Sequence, residues 1–341
     1  MALDKNNPLY GEDLRYIISA GGAEKLKGRT VLVTGATGLI GVELVDALML
    51  AGEIKVIAAG RSGQKMKERL GEHLANPLFS FLEYEAGKGF SEGLKPDFII
   101  PLASNTHPKA YSEHPIETMK INLDGALDAL ELAAKCGAAV LYPSTVEIYG
   151  NARAEESFSE TSTGSLDLST ARSCYNESKR SCEALCQSYK AQKGVEVHIA
   201  RLSRVFGPTM LPNDTKASSQ FILKAAAGED IVLKSEGNQL FSYTYVADAV
   251  AALLHIMLEG GNGEAYNVAC EDCNVHLKDF AAICAEQCGK KVVFDLPSET
   301  ERKGYSIATK AVLSNDKLKA SGFCPKFGIH DAVERTIDII K

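Results

Sequence analysis

The chain has 341 residues, 45% of them hydrophobic, and a formal net charge of −7. That size holds a large core and two lobes, the hydrophobic share excludes a disordered chain, and the charge disfavours a general nucleic-acid binder while leaving room for a local basic patch on a phosphorylated small molecule. No apolar run reaches the roughly 18–20 residues needed to span a bilayer, and residues 1–7 are polar with no apolar export signal, so a cytoplasmic protein without membrane contact is expected.

Residues 1–28 read as a helical lead-in, with Leu14, Ile17 and Ile18 on one apolar side that packs outside the first domain. Thr30 to Thr34 is a short β-branched and aliphatic run, as in a strand buried on both faces of a parallel sheet. Gly35, Gly38 and Gly41 follow at the spacing G-x-x-G-x-x-G, and an apolar-rich helix then runs to Gly52. A glycine turn between a buried strand and a helix sets bare backbone N–H groups at the positive helix end, a seat for a pyrophosphate. Lys55 to Ala59 is a second strand, ending at Gly60-Arg61. An Asp or Glu at this tip holds the ribose 2′-hydroxyl of NAD, whereas an Arg can hold a 2′-phosphate. Either dinucleotide fits, with NADP slightly favoured by Arg61.

Phe79 to Tyr84 and Asp97 to Ser104 are the next strands. Small Ala103 and Ser104 allow a flat ligand to approach the strand's carboxyl edge, where α/β sheets bind ligands. A polar loop with His107, Lys109 and Tyr111 faces the same edge, and His107 reads as an ordinary loop histidine. Residues 115–136 form a long helix that carries Asn122 in an apolar pattern, and Ala139 to Tyr142 a fifth strand leading to Ser144, Thr145 and Glu147. Residues 170–193 are helical, with Tyr175 and Lys179 four apart on one face. Residues 195–200 are a sixth strand. Beyond it the β/α rhythm loosens into shorter elements, which reads as a substrate lobe closing over the sheet edge.

A tyrosine with an ordinary pKa near ~10 is a poor base at neutral pH. A lysine ammonium one turn away favours its phenolate, and the pair can take a proton from a sugar hydroxyl. A Ser or Thr at a strand end can hold the same oxygen, and Ser144 and Thr145 stand where that donor is needed. The nine cysteines read as free thiols. Cys270, Cys273, Cys284 and Cys288 are weighed as zinc ligands, but buried inert thiols are preferred and no metal site is expected.

The order glycine loop, Ser/Thr after a strand, then Y-x-x-x-K resembles the extended short-chain dehydrogenase/reductase family (NAD-dependent epimerases and dehydratases). TGATGLIG (34–41), PSTVEIYG (143–150), CYNESKR (174–180) and RLSRVFGP (201–208) carry the resemblance. It is strongest to nucleotide-sugar enzymes like the UDP-glucuronate decarboxylases, through 103–122, 174–185 and 206–231. It implies a Rossmann-type doubly wound parallel α/β sheet with a smaller α/β substrate-binding lobe on the C-terminal side. The first domain is then 29–200, with 241–258 returning to it, and the lobe is 201–240 and 259–341. It implies Tyr175 as base, Lys179 as its partner and ribose ligand, Ser144 or Thr145 as hydroxyl donor, and Glu147 as a second proton-transfer group. Cofactor contacts are expected from Gly35, Thr37, Gly38, Leu39, Ile40, Gly41, Arg61, Leu102, Ala103, Ser104, Asn122, Tyr175 and Lys179. Contacts to a nucleotide-sugar substrate are expected from Lys109, Tyr111, Arg204, Lys216 and Phe241.

Two positions depart from the decarboxylase pattern. Val146 stands where those enzymes resemble one another in a serine, and Phe241 where they carry an arginine. Arg204 either restores a phosphate contact, with Lys216, or pairs with a carboxylate between the lobes. The expected activity is oxidation of the sugar at C4 by Tyr175 and Lys179, followed by epimerisation, dehydration or decarboxylation. The alternatives are a carbonyl or keto-sugar reductase that consumes NADPH and a non-catalytic dinucleotide-binding sensor. The resemblance also implies a homodimer through helices 115–136 and 171–193.

Overall fold

Strand β1 (Thr30–Thr34) turns Val31 and Val33 to one side and Leu32 to the other, and all three are fully buried. This is the two-period of an extended chain covered on both faces. The computed structural model describes residues 3–106, 108–150, 157–295 and 310–341, without the side chains of 108–110. Around β1 it places β2 (Lys55–Gly60), β3 (Phe79–Glu83), β4 (Phe98–Pro101), β5 (Ala139–Thr145), β6 (Val197–Leu202) and, far along the chain, β10 (Ala265–Val268). The order is β10-β6-β5-β4-β1-β2-β3, all parallel. This is the expected Rossmann-type doubly wound sheet, and the order in which successive strands are laid down reverses between β1 and β4.

Helices cover both faces. On one side lie α1 (Pro8–Gly21), α2 (Leu39–Ala51) and α8 (Val246–Glu259), which pack on Val31 and Val33. On the other lie α5 (Pro115–Cys136) and α6 (Cys174–Lys193), which cover Leu32, Ile99 and Val140. Shorter helices α3 (Gly63–Leu70) and α4 (Pro108–Glu113) follow β2 and β4. The smaller lobe holds β7 (Arg204–Phe206), β8 (Ile231–Leu233), β9 (Leu240–Tyr245), β11 (Asn274–His276), β12 (Val292–Phe294) and β13 (Lys310–Ala311). In it β9 pairs with β7, β11 and β13, and β8 with β12. Helices α7 (Ala217–Ala226), α9 (Leu277–Glu286), α10 (Asp316–Ala320) and α11 (Ile329–Ile340) complete the chain.

Two details differ from the expected partition. β10 lies within 259–341 yet closes the edge of the main sheet against β6. Of 241–258, only the helical part returns to the main sheet, because β9 is a strand of the small one. Both follow from pairings between distant strands, which no local pattern records. The lead-in does more than pack outside. Tyr10 and Ile17 of α1 are buried, and Asp13 accepts from Tyr245 (2.5 Å) and from Arg335 of α11 (2.7 Å). The segment thus ties the main sheet's helices to the C-terminal helix. Among the described residues, no helix is long and apolar enough to cross a membrane.

Candidate active site

The turn after β1 is built by two glycines for different reasons. Gly35 has φ +64, and a Cβ there would stand 2.7 Å from the Ala103 amide nitrogen after β4. Gly41 packs so closely on the turn that a Cβ would lie 2.5 Å from the Gly35 carbonyl oxygen. Gly38 caps α2 without a side-chain hydrogen bond, and the first helical turn holds no acidic residue. The first N–H groups of α2 therefore keep their donors and the positive end of the dipole open to the cleft. This cradle fits the pyrophosphate of a dinucleotide.

A single cleft of ≈ 2080 Å³ runs from this turn to the small lobe. Gly35, Thr37, Gly38, Leu39, Ile40, Gly41, Arg61, Leu102, Ala103 and Ser104 line one end. Tyr111, Ser144, Thr145, Glu147 and Tyr175 line the middle, and Arg204, Lys216 and Phe241 the lobe side. Lys109 is on α4, but its side chain lies outside the described residues, as does His107 altogether. Asn122 stands behind the wall. It donates to Ser178 (2.9 Å) and accepts from Ser104 (2.7 Å), joining α5, α6 and the end of β4.

Tyr175 is buried in the first turn of α6, with the Thr145 hydroxyl near enough to favour its phenolate. Ser144 does not share that contact, and its buried hydroxyl has no partner. Burial pushes Tyr175 above its ordinary pKa, the Thr145 hydroxyl lowers it, the Glu147 charge raises it and Arg172 lowers it. Lys179 stands one helical turn further along α6. Its ammonium donates to the Pro143 carbonyl at 2.8 Å, and burial lowers it to about 8. The lysine is thus anchored at the end of β5, beside the residues that face Tyr175.

Glu147 sits in a 3-10 turn capped by the Thr145 hydroxyl. Arg204 reaches one carboxylate oxygen at 3.3 Å and Arg172 the other at 3.8 Å. Asn176 donates to the Glu147 carbonyl at 2.7 Å. Arg204 also stacks on Phe241, with its guanidinium carbon 3.6 Å from the ring centroid. Of the two expected roles, the geometry displays pairing with a carboxylate, while Lys216 pairs with Asp214 at 3.8 Å. Yet Arg204 Nη1 is buried without a partner, as is Gln239 Oε1, and both residues line the cleft. Both atoms are therefore available to a polar group that enters the cleft. Arg172, Asn176 and Gln239 were not expected. Asn176 adjoins Tyr175 and was findable, whereas Arg172 and Gln239 carry no sequence signal.

Residues 31–269 match the profile of the NAD dependent epimerase/dehydratase family. The chain belongs to the NAD-dependent epimerase/dehydratase family. Among curated family members it is 34% identical over 238 residues to UDP-glucuronic acid decarboxylase 6 of Arabidopsis thaliana, covering 70% of this chain and 68% of that protein. It is 36% identical over 231 residues to UDP-glucuronic acid decarboxylase 1 of Xenopus tropicalis, covering 67% of this chain and 53% of that longer protein. The fold matches the dTDP-glucose 4,6-dehydratase of Streptomyces venezuelae, whose crystal structure holds NAD. That match has a TM-score of 0.79 over 91% of this chain and 96% of the dehydratase, at 21% identity.

The nine cysteines are free thiols, as expected, with Cys270, Cys273 and Cys284 buried and Cys288 half-buried.

Proposed function

We propose that this family member oxidises C4 of the sugar in a nucleotide-sugar and then moves a second proton beside the new carbonyl. The observation that carries this reading is the convergence of Tyr175, Thr145 and the Glu147 carboxylate, held by two arginines, in one cleft with the α2 terminus. The related UDP-glucuronic acid decarboxylases support the substrate class.

Tyr175 accepts the C4 hydroxyl proton, with Thr145 holding the same oxygen and Lys179 fixing the strand end beneath it. Bound NAD supplies the hydride acceptor. The α2 N-terminus and Gly38 hold the dinucleotide's phosphates. A C4 carbonyl acidifies the adjacent carbon, and Glu147 moves the proton there. Epimerisation, elimination or loss of carbon dioxide follows, according to the sugar, and return of the hydride to the sugar would restore the oxidised cofactor. Arg204, with its free Nη1, and Gln239 face the substrate side.

NAD is favoured over NADP. Arg61 shares a small recess with Glu83, Glu85 and Lys88, and Lys88 pairs with Glu85 at 2.7 Å, so the recess offers a 2′-phosphate no net positive charge, whereas a carboxylate can accept from a 2′-hydroxyl. The family's description and NAD in the Streptomyces dehydratase support the same choice. Free cysteines fit a cytoplasmic setting, and exposed Ile116 and Leu127 on α5 suit a homodimer through α5 and α6.

The test is turnover of a nucleotide-sugar panel, with product mass and stereochemistry read out. Wild-type protein yields product with no net gain or loss of reduced nicotinamide, and Tyr175→Phe loses about 10²–10⁴-fold in kcat. Stoichiometric consumption of NADPH would instead identify a reductase.

A further inference from the structure

Arg172 touches both halves of the proposed chemistry. It lies in a 3-10 turn, Ala171–Ser173, one residue before α6. Its guanidinium carbon stands 4.8 Å from the centroid of the Tyr111 ring. That ring stacks on Tyr175, with centroids 4.7 Å apart and planes 18° from parallel. Tyr111 and Tyr175 are both buried, so the stack fixes the plane of the Tyr175 ring. On its other side Arg172 is 3.8 Å from a Glu147 oxygen and donates to Asn176 at 3.3 Å. Asn176 in turn donates to the Glu147 backbone.

We propose that Arg172 is a positioning residue shared by the two proton-transfer groups, steadying Tyr175 through Tyr111 and Glu147 through Asn176 and a direct ion pair. The proposal rests on the reading of Tyr175 and Glu147 given above. Its chemical logic is timing. A cation that backs the Tyr111–Tyr175 stack and pairs with Glu147 favours the phenolate when Tyr175 must accept a proton, and it keeps the carboxylate aimed at the same sugar. A stacked planar guanidinium does this in a way a flexible ammonium does not.

The groups that face Tyr175 define what a pH profile will report. They are Tyr111 of α4, Tyr142 and Thr145 of β5, Glu147 after it, Arg172, and on α6 itself Lys179, one turn on, whose ammonium lies over Tyr142. Arg172 acts to lower Tyr175, so removing its charge moves the rising limb of kcat to higher pH.

The experiment compares wild type with Arg172→Gln, Arg172→Lys and Tyr111→Leu in the full chain with bound NAD, on the nucleotide-sugar that the wild type turns over. Arg172→Gln is expected to lower kcat about 10²-fold, to leave KM within a factor of about three, and to shift the rising limb upward. Arg172→Lys restores the limb but not the full kcat. A raised KM at unchanged kcat would make Arg172 only a substrate ligand and overturn the proposal, as would a wild-type profile. A second readout is independent of turnover: 13C spectra of protein labelled at tyrosine Cζ and glutamate Cδ, assigned with Tyr175→Phe and Glu147→Gln. Arg172→Gln moves both resonances and Tyr111→Leu moves the tyrosine alone. If Arg172→Gln moves neither, the proposal fails, whereas absence of turnover with moved resonances sinks the functional reading and leaves the positioning role standing.

Discussion

Two clusters in this protein are made of the same parts, arginine, carboxylate and tyrosine, and are put to different ends. Behind the main sheet, Asp13 is fully buried between the Tyr245 hydroxyl at 2.5 Å and the Arg335 guanidinium at 2.7 Å. Arg335 spends its remaining donors on Glu12 and on the Leu9 carbonyl. In the cleft, Glu147 is 28% exposed, its two guanidinium contacts are longer, and Arg204 keeps a buried nitrogen without a partner. A polar cluster closed on itself serves the fold, because every desolvated group is repaid inside the protein. A cluster left one bond short is arranged for a group that arrives from outside. Residue type does not separate the two cases, but satisfaction and exposure do.

The largest effect that sharpens this contrast is on stability. Asp13→Ala leaves the buried Tyr245 hydroxyl without its acceptor and Arg335 with only the exposed Glu12 as ion partner, and is expected to cost about 2–3 kcal/mol, measured by urea denaturation. Turnover per folded molecule should be unchanged, and a loss under about 1 kcal/mol would break the contrast. Glu147→Gln gives the mirror image. It is expected to lower kcat about 10²-fold while unfolding stays within about 0.5 kcal/mol of wild type. Equal losses in both assays would mean that Glu147 also belongs to the fold.

The smallest effect is a pH slope. Burial lowers Lys179 from its ordinary 10.5 to about 8. Between these values the unfolded chain holds a proton that the native protein has released, so native stability rises with pH across that window, by at most about 1.4 kcal/mol per unit. Below pH 8 both states are protonated and the slope vanishes. Denaturation at pH 7.5, 8.5 and 9.5 tests this, and the increment should be absent in Lys179→Met.

The division between what was legible and what was not follows the distance between partners. The β1–glycine turn–α2 unit is local, and twelve consecutive residues dictate it: a buried run, two glycines that no side chain can replace, and a helix with an open first turn. Tyr175 and Lys179 are one turn apart, so their spacing was readable, as were Thr145 and Glu147 from their place after β5. What the spacing did not settle was which hydroxyl meets Tyr175, because Ser144 and Thr145 point differently at the end of one strand. Arg172 acquires meaning only once Tyr111, far back in the chain, is laid on Tyr175. The same holds for β10, which pairs with β6 across the intervening β7, α7, β8, β9 and α8, and for Asp13, whose partners are more than two hundred residues away.

The contacts of the lead-in also bear on how the protein is made. The Asp4 amide donates to the Ile339 carbonyl at 3.3 Å, and the Asn7 side chain donates to the Asp338 carbonyl at 2.9 Å. Helix α1 nevertheless packs chiefly on α2 and α8. During translation α1 and α2 emerge well before α8, so the face that α8 covers stays open until that helix has formed. Slow closure of this kind exposes apolar surface. Residues such as Tyr10 and Ile17 are thus a liability to the nascent chain as well as an asset to the finished one.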